Sequence, residues 1–590
     1  MNDQYPVFTI ENECLDCYKC VRGCPVKAIR ISNGHASVIS EKCIACGQCI
    51  SLCPQKAKRV RNDISIVQEM LDSDEKVYAS IAPSWIGSLN CNMEQLVKAL
   101  KMLGFTGVSE TALGAQEVSI KTAEILQNRE KNLWISSACP AIVDYIRMYL
   151  PQFSEYIIPL ASPALTHGRM LKEHFGEEIR MVFIGPCAAK KNEADQFPDL
   201  MDAAISFDEL LKMLRNRGIN LDSEPEDKFT FSPCQAHEGA LYPMEGGMNE
   251  TLIRSGKTKG VRLINVSTIQ MINSLLEGLS PDSITEPVFI EAMACKGGCL
   301  NGPLQTGIKP GLNVISDALK SVQYRDVIPA IPQTVVPYRF TPASIKESAP
   351  TPIQIRKAMQ RIGKSSIEDE LNCGGCGYNT CRDLAIALVN NTAEPHMCSS
   401  YMRKVATRKA GAVFNCMPSG ILMVDRHLKI LETNKSFVQM FAKDLYESFD
   451  SEPDCLKEAR LDRVIPCTEL FESVLETNKD IHKEHYPMNN GLYEISIFTV
   501  EPHHIVGAVI ADVTKYEMRR DQIAKKAHSV IARNIAIVQD IACSLGEHMV
   551  ETEVLLTSIA EGYDPESPES RKPEKQDKMD FLNGLGTKYE

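Results

Sequence analysis

Eight cysteines within the first 53 residues constrain this chain more than any other feature. Cys14, Cys17, Cys20 and Cys24 form a C-x2-C-x2-C-x3-C-P run, and Cys43, Cys46, Cys49 and Cys53 repeat it 29 residues later. So tight a run turns three thiols toward one point, while the fourth, ahead of proline, reaches elsewhere. The chain has 22 cysteines in 590 residues. In a reducing compartment, clustered thiols bind metal rather than pair as disulfides. Sixteen of the 22 fall in motifs with ligand spacing. The other six, Cys91, Cys234, Cys416, Cys455, Cys467 and Cys543, are isolated and are expected to pack as small apolar side chains.

The repeated run is the bacterial two-cluster ferredoxin pattern. There the fourth cysteine of each run serves the other cluster. Cys14, Cys17, Cys20 and Cys53 are therefore expected on one [4Fe-4S] cluster, and Cys43, Cys46, Cys49 and Cys24 on the second. Zinc is the alternative occupant, but a zinc site needs neither the Cys-Pro ending nor the repeat. Residues 1–62 thus read as a ferredoxin-like domain. Such a module moves electrons and does not by itself name a substrate.

The length implies roughly three to five domains, and a hydrophobic content of 44% makes them globular. A net charge of −12 provides no footprint for nucleic acid, which needs clustered Lys and Arg. The first residues, MNDQYPVFTIENE, lack a charged-then-apolar leader pattern, and no run of 18 apolar residues occurs. A cytoplasmic protein with no membrane association is expected.

Between residues 63 and 325, short apolar runs (VYASIAP, LWISSA, MVFIGP, PVFIEAMAC) alternate with amphipathic stretches, an α/β pattern. Each run ends where a motif begins, which puts the motifs at strand C-termini, where open α/β sheets build their sites. The motifs are ISSACPAIV with Cys139, FIGPCAAKK with Cys187, and EAMACKGGC with Cys295 and Cys299. These segments resemble the active-site signatures of iron-only ([FeFe]) hydrogenases.

The resemblance implies an H-cluster: a [4Fe-4S] cubane held by Cys139, Cys187, Cys295 and Cys299. Cys299 would also bridge to a diiron subsite carrying CO, CN and a bridging dithiolate. It further implies that Lys190 pairs with one cyanide and that Pro83 and Ser84 meet the other. Met293 would lie near the bridging carbonyl, with Pro186 beside the site. The alternative for Lys190 is a surface lysine next to Lys191. Gly297 and Gly298 would let backbone approach the cluster.

One departure is plain. Catalytic family members carry a relay cysteine immediately before the first ligand, where this chain has Ala138, and alanine has no exchangeable proton. Glu245 in YPMEGGM and Glu291 in EAMAC are the carboxylates expected near the cluster. They are the candidates for an alternative proton relay.

Residues 326–352 are proline-rich and read as an extended linker. In 353–402, Cys373, Cys376, Cys381 and Cys398 have C-x2-C-x4-C-x16-C spacing. This resembles a small helical Fe-S domain, giving a fourth [4Fe-4S] cluster, with zinc again the alternative. Residues 403–515 resemble a PAS domain, with a strand, a turn, a strand and a helix opening near Asn434. From 516 to 562, Ala527, Ile531, Ile535, Val538, Ala542, Leu545 and Met549 step by three and four, forming one stripe of a long helix. Dimeric coiled-coil packing or docking to a partner is expected of it. His528 on this helix lacks the acidic residue, the proline and the ATP-binding domain of a histidine kinase. The tail, 563–590, is charged and expected to be disordered.

The fold class is therefore multidomain α/β and α+β. The expected function is that of the PAS-containing sensory iron-only hydrogenases: slow, reversible hydrogen oxidation, with the redox change relayed through the clusters to PAS and an output partner. The expected partners are H2 and protons, a redox protein such as ferredoxin, a signalling kinase or phosphatase, and a second copy of the chain. The alternatives are a catalytic hydrogenase linked to ferredoxin or NAD(P), and a hydrogenase-related iron-sulfur scaffold without the diiron site.

Overall fold

The computed structural model describes residues 5–222, 228–306, 311–345, 349–447, 449, 454–489, 491–514, 529–542, 549 and 551–556. It divides into two compact units, 1–397 and 398–590. His528, Cys543, Leu545 and the tail lie outside the described residues.

The first unit opens with a pseudo-symmetric cysteine module. Helices Lys19–Gly23 and Gln48–Leu52 carry Cys20 and Cys49, and Cys24 and Cys53 cap their C-termini. Each helix is preceded by a left-handed residue, Tyr18 (φ 55°) and Gly47 (φ 73°). The same backbone turn therefore serves both runs. Strands Val7–Thr9 and Lys58–Val60 pair antiparallel and close the module.

The next domain contains two parallel sheets. Strands Gly107–Glu110, Val77–Ile81, Arg180–Ile184 and Ala203–Ile205 form one, in that order. Arg262–Ser267, Val288–Met293 and Leu133–Ile135 form the other. Val77–Ile81 is buried at every position, as expected of an apolar run covered on both faces. His167 is fully buried between Ser80 Oγ (2.8 Å) and Ser109 Oγ (2.9 Å). Burial lowers its pKa to about 3, so it packs as a neutral hydrogen-bonded ring.

Lys191 centres a buried ionic network in this domain, at its border with the cysteine module. Its buried ammonium donates to Asp63 Oδ2 (3.0 Å), Glu209 Oε1 (3.0 Å) and Ala204 O (2.8 Å), satisfying all three donors. Arg61 extends the network with paired bonds to Asp63 and Asp195.

The proline-rich segment forms no helix or strand among its described residues before Pro352, and it is strapped onto the two-sheet domain. Tyr338 N donates to Pro159 O (3.1 Å), Ala161 N to Val336 O (2.9 Å), and Ala343 N to Arg147 O (2.9 Å). Proline favours extended backbone without specifying whether that backbone is free or paired. Beyond the strap, helix Pro352–Arg361 packs on helix Cys381–Val389.

In the second unit, helix Ser399–Cys416 leads into a five-stranded antiparallel sheet. Its order is Ile430–Thr433, Gly420–Asp425, Ile505–Asp512, Gly491–Glu501, Ile481–Met488. Asn434 caps helix Lys435–Phe441 where the sequence expects a helix to open. It is fully buried; its Oδ1 accepts from Phe437 N and Ile421 N, and its Nδ2 donates to Phe414 O and Ser419 O. That one side chain joins incoming helix, strand and following helix. Residues 529–542 are helical, Ile531 is buried, and Val538 packs with Met417, Ile421 and Val509. Part of the predicted apolar stripe is thus covered by this chain's own sheet.

Candidate active site

Every cysteine motif of the two-sheet domain begins just past a strand end. Strand Leu133–Ile135 leads to Cys139, the N-cap of helix Pro140–Tyr149. Strand Arg180–Ile184 leads to Cys187, and Val288–Met293 leads to Cys295 and Cys299. One sheet supplies Cys187 and the other supplies Cys139, Cys295 and Cys299. All four line one small cavity, together with Pro186 and Met293. Cys46 of the N-terminal module lines the same cavity.

The loop that presents Cys299 depends on glycine. Gly298 has φ +96°, and a Cβ there would lie 2.3 Å from Pro243 O and 2.9 Å from Glu245 N. The segment Pro243–Glu245 is thereby pressed directly against the cysteine loop, and Leu300 N donates to Pro243 O (3.1 Å).

The donor set fits a cationic metal group. Burial pushes the Cys187 thiol up to about 11; the nearby Cys139 adds to the shift, while Lys190 opposes it. Burial and neighbouring cysteines also raise Cys295 and Cys299, and burial raises Cys139. Four partly buried thiolates crowded together are unfavourable unless a metal neutralises them. Lys190 Nζ bonds to Ser162 Oγ (2.9 Å) and Glu193 Oε2 (2.5 Å) and counters the cysteines' charge. Of the adjacent lysines, then, Lys190 lies beside the cysteines and Lys191 is held in the scaffold. Glu193 also lines a second cavity, shared with Ser137, Asp144, Arg147 and Asn192.

Ser84 follows Pro83 in the turn Pro83–Gly87, and its buried Oγ has no partner among the described residues. The buried side-chain amide of Gln305 is likewise without one, 3.2 Å from where a Gly87 Cβ would stand. Buried polar atoms are normally paired, but neither residue is among those that line the cysteine cavity. Gln305 and Glu193 were not singled out from the sequence. Glu193 has a signal there, the i,i+3 spacing from Lys190; Gln305 has none.

Ala138 packs with an apolar cluster that includes Trp134, Tyr242, Met248 and Phe289. Glu291 accepts from Met248 N (3.3 Å) and Asn249 N (2.9 Å), in the first turn of helix Gly247–Arg254. Burial raises its pKa from 4.5 to about 7, those amides oppose the shift, and the charge of Glu245 adds to it. Glu245 accepts from Ser267 Oγ (2.7 Å), which in turn receives Gly297 N (3.3 Å) from the cysteine loop. Glu291 also interacts electrostatically with Cys299. Both sequence candidates for proton transfer are therefore near the site, and Glu291 is the more deeply buried.

In the N-terminal module, Cys14, Cys17, Cys20 and Cys53 line one cavity. Cys24, Cys43, Cys46 and Cys49 are electrostatic neighbours of one another. Cys14, Asp16 and His35 also offer ligand atoms within 4.8 Å of one another. In the small module, Cys376 and Cys381 are buried and Cys373 is exposed. Cys398 caps helix Ser399–Cys416 in the second unit.

Residues 75–303 match the family of the iron only hydrogenase large subunit, C-terminal domain, and residues 7–54 match the 4Fe-4S dicluster domain. Residues 369–400 match an Fe-S cluster family and 411–480 the PAS domain. The chain thus contains an iron-only hydrogenase-like domain and a PAS domain. Its hydrogenase-like part is 28% identical over 304 residues to iron hydrogenase 1 of Clostridium pasteurianum, covering 41% of this chain and 52% of that one. The alignment thus spans about half of that relative's length. It is 28% identical over 373 residues to the periplasmic [Fe] hydrogenase large subunit of Nitratidesulfovibrio vulgaris, covering 51% of this chain and 86% of that one. A cytosolic Fe-S cluster assembly factor, narfl, of Xenopus tropicalis is 25% identical over 286 residues, 38% of this chain and 59% of that protein. A solved [FeFe]-hydrogenase of Chlamydomonas reinhardtii aligns at 18% identity and TM-score 0.40, over 48% of this chain and all of that one. The multidomain α/β architecture, iron-sulfur binding and a hydrogenase-type site are those expected from the motifs. No helix among the described residues is long and apolar enough to cross a membrane.

Proposed function

We propose that the protein is a hydrogen sensor. Hydrogen reacts slowly at a diiron site held by Cys299, and the redox change passes through [4Fe-4S] clusters to the PAS half and a separate output protein. The observation that carries this reading is the single cavity shared by Cys139, Cys187, Cys295, Cys299 and Cys46. It sets a hydrogenase-type donor set against an electron-transfer module, with Ala138 where a proton relay would stand.

The H-cluster, when bound, supplies hydrogen splitting and accepts the electrons. The chain's own groups do the rest. Lys190 offers an ammonium, fixed by Ser162 and Glu193, to an anionic ligand such as cyanide. Met293 and Pro186 supply apolar walls that exclude water. Glu291, poised near pH 7, is suited to exchange protons at neutral pH, with Glu245 and Ser267 continuing the route.

Four [4Fe-4S] clusters, a ferredoxin-type donor or acceptor, a cytoplasmic setting, a kinase or phosphatase as output, and a dimer through PAS and the C-terminal helix complete the proposal. A scaffold role, which similarity to an assembly factor brings into view, gives no reason to keep Lys190 beside the cysteines and Met293 in their cavity.

Introducing the missing thiol tests the reading. Ala138→Cys should raise hydrogen uptake by roughly tenfold or more, because a positioned acid–base group contributes about 10²-fold. A fast wild-type protein indifferent to this change would instead be a working hydrogenase.

A further inference from the structure

The small Fe-S module meets the N-terminal cysteine module along one seam, and two cations fasten it. Lys27 Nζ donates to Val21 O (3.1 Å) and Arg22 O (3.2 Å) on its own side and to Gly377 O (2.8 Å) across the seam. All three ammonium donors are satisfied, and all by backbone carbonyls. Arg22 donates to Cys17 O (3.0 Å) and, across the seam, to Gly375 O (3.2 Å). Ile31 N to Thr392 O (3.0 Å) and Asn33 N to Glu394 Oε1 (2.8 Å) continue the line. The loops are in close contact: Gly377 has φ +93°, and a Cβ there would lie 2.9 Å from Val21 Cγ1.

Lys27 stands three residues after Cys24, and Gly377 immediately follows Cys376. The ammonium is coupled electrostatically to both cysteines, with Asp383 the carboxylate that contributes. Carbonyl ligands satisfy its hydrogens without neutralising its charge, and a partly buried cation seeks negative charge nearby. A cluster that gains an electron supplies it.

The cysteine repeat contains its own control. Lys56 stands three residues after Cys53, as Lys27 does after Cys24, and both have a left-handed backbone, φ 56° and 50°. Lys56 is exposed, whereas Lys27 is directed into the seam. The same sequence position therefore acquires a role in only one of the two runs.

We propose that Lys27 is the positioning residue of an electron junction: it seats the Cys376 loop against the Cys24 loop and favours the reduced state of the small module's cluster. In the crossed assignment Cys24 belongs with Cys46, which lines the hydrogenase-type cavity. One set of ligands thus faces both the hydrogen site and the seam. One electron leaves the ferredoxin-type cluster and one is gained by the small module's cluster, with no bond or proton changed. This junction rests on the Fe-S relay proposed above.

The test is a dithionite titration of the full chain with its clusters in place, followed by electron paramagnetic resonance, with Cys376→Ser marking the small module's signal. Lys27→Met should make that cluster harder to reduce, by a roughly tenfold change in oxidised-to-reduced ratio, about 59 mV for one electron. Lys27→Arg should restore most of the shift, and Lys56→Met should leave it unchanged. An unshifted potential in Lys27→Met, or an equal shift in Lys56→Met, overturns the proposal. If Lys27→Met fails to load iron, Gly377→Ala decides. It strains the seam with the ammonium intact and should weaken spin coupling between the two clusters, and unchanged coupling refutes the seam. Because dithionite supplies the electrons, a chain inert to hydrogen still gives this result, so failure of the sensor reading is separately visible.

Discussion

Cys299→Ser should abolish every hydrogen response of the full chain while dithionite still reduces the N-terminal clusters. Cys299 opens the turn Cys299–Asn301, directly after a left-handed Gly298 that no other residue replaces without striking Pro243. It lines one cavity with three other cysteines of its domain, beside the apolar Met293 and Pro186. Serine keeps the size and the backbone but not the soft thiolate that iron requires. The fold should survive, since the strand ends, the Lys191 network and the N-terminal cysteine module do not involve this residue. Under hydrogen, the visible iron-sulfur absorption of the matured wild-type chain should bleach and that of the variant should not. Equal bleaching would remove Cys299 from the site.

Glu291→Gln is expected to lower hydrogen turnover by about 10²-fold, the ordinary contribution of a positioned acid or base. The sign of the pH dependence follows from its environment. With its pKa raised to about 7, Glu291 is protonated below that pH and unable to take a proton, so hydrogen oxidation should rise with pH through 7. The variant should lose that inflection. The folded-state pKa also exceeds the ordinary 4.5, so the group's contribution to stability is full below about pH 4.5 and is lost as pH rises through 7. A tenfold change in a group's acidity on folding corresponds to about 1.4 kcal/mol of stability. The glutamine variant, neutral throughout, should therefore lose less stability than wild type between pH 5 and 8 in denaturant titrations. A retained inflection with unchanged turnover would leave Glu291 as a structural partner of Met248 and Asn249.

The sequence is most informative where chemistry is local. Strand runs ending at Cys139, Cys187 and Cys295 were legible because a buried parallel strand is a short apolar run and its ligand follows within a few residues. Asn434 was legible as a helix start for the same reason, since a cap bonds to amides two or three residues on. Through-space relations were not legible. Lys190 and Lys191 look alike in FIGPCAAKK, and only the helix that turns one toward the cysteines and the other toward Asp63 and Glu209 separates their roles. Prolines pointed to an extended segment at 326–352 but not to the pairing of Val336 and Tyr338 with the two-sheet domain. Lys27 and Lys56 occupy equivalent positions, and nothing in either run says that a third module covers the first. Ser84 was read from its motif, whereas Gln305 sits in no signature, and its buried amide stands out only because it lacks a partner among the described residues.

A hydrogenase-type site kept for response rather than throughput is tested most directly by an infrared titration of the matured full chain with hydrogen, with turnover measured on the same preparation. Iron carbonyl and cyanide bands should shift at low hydrogen, with turnover below about 1 s⁻¹, the lower edge of the usual enzymatic range. Absence of those bands, or bands accompanied by turnover on the order of hundreds per second, well inside that range, would contradict a sensing role.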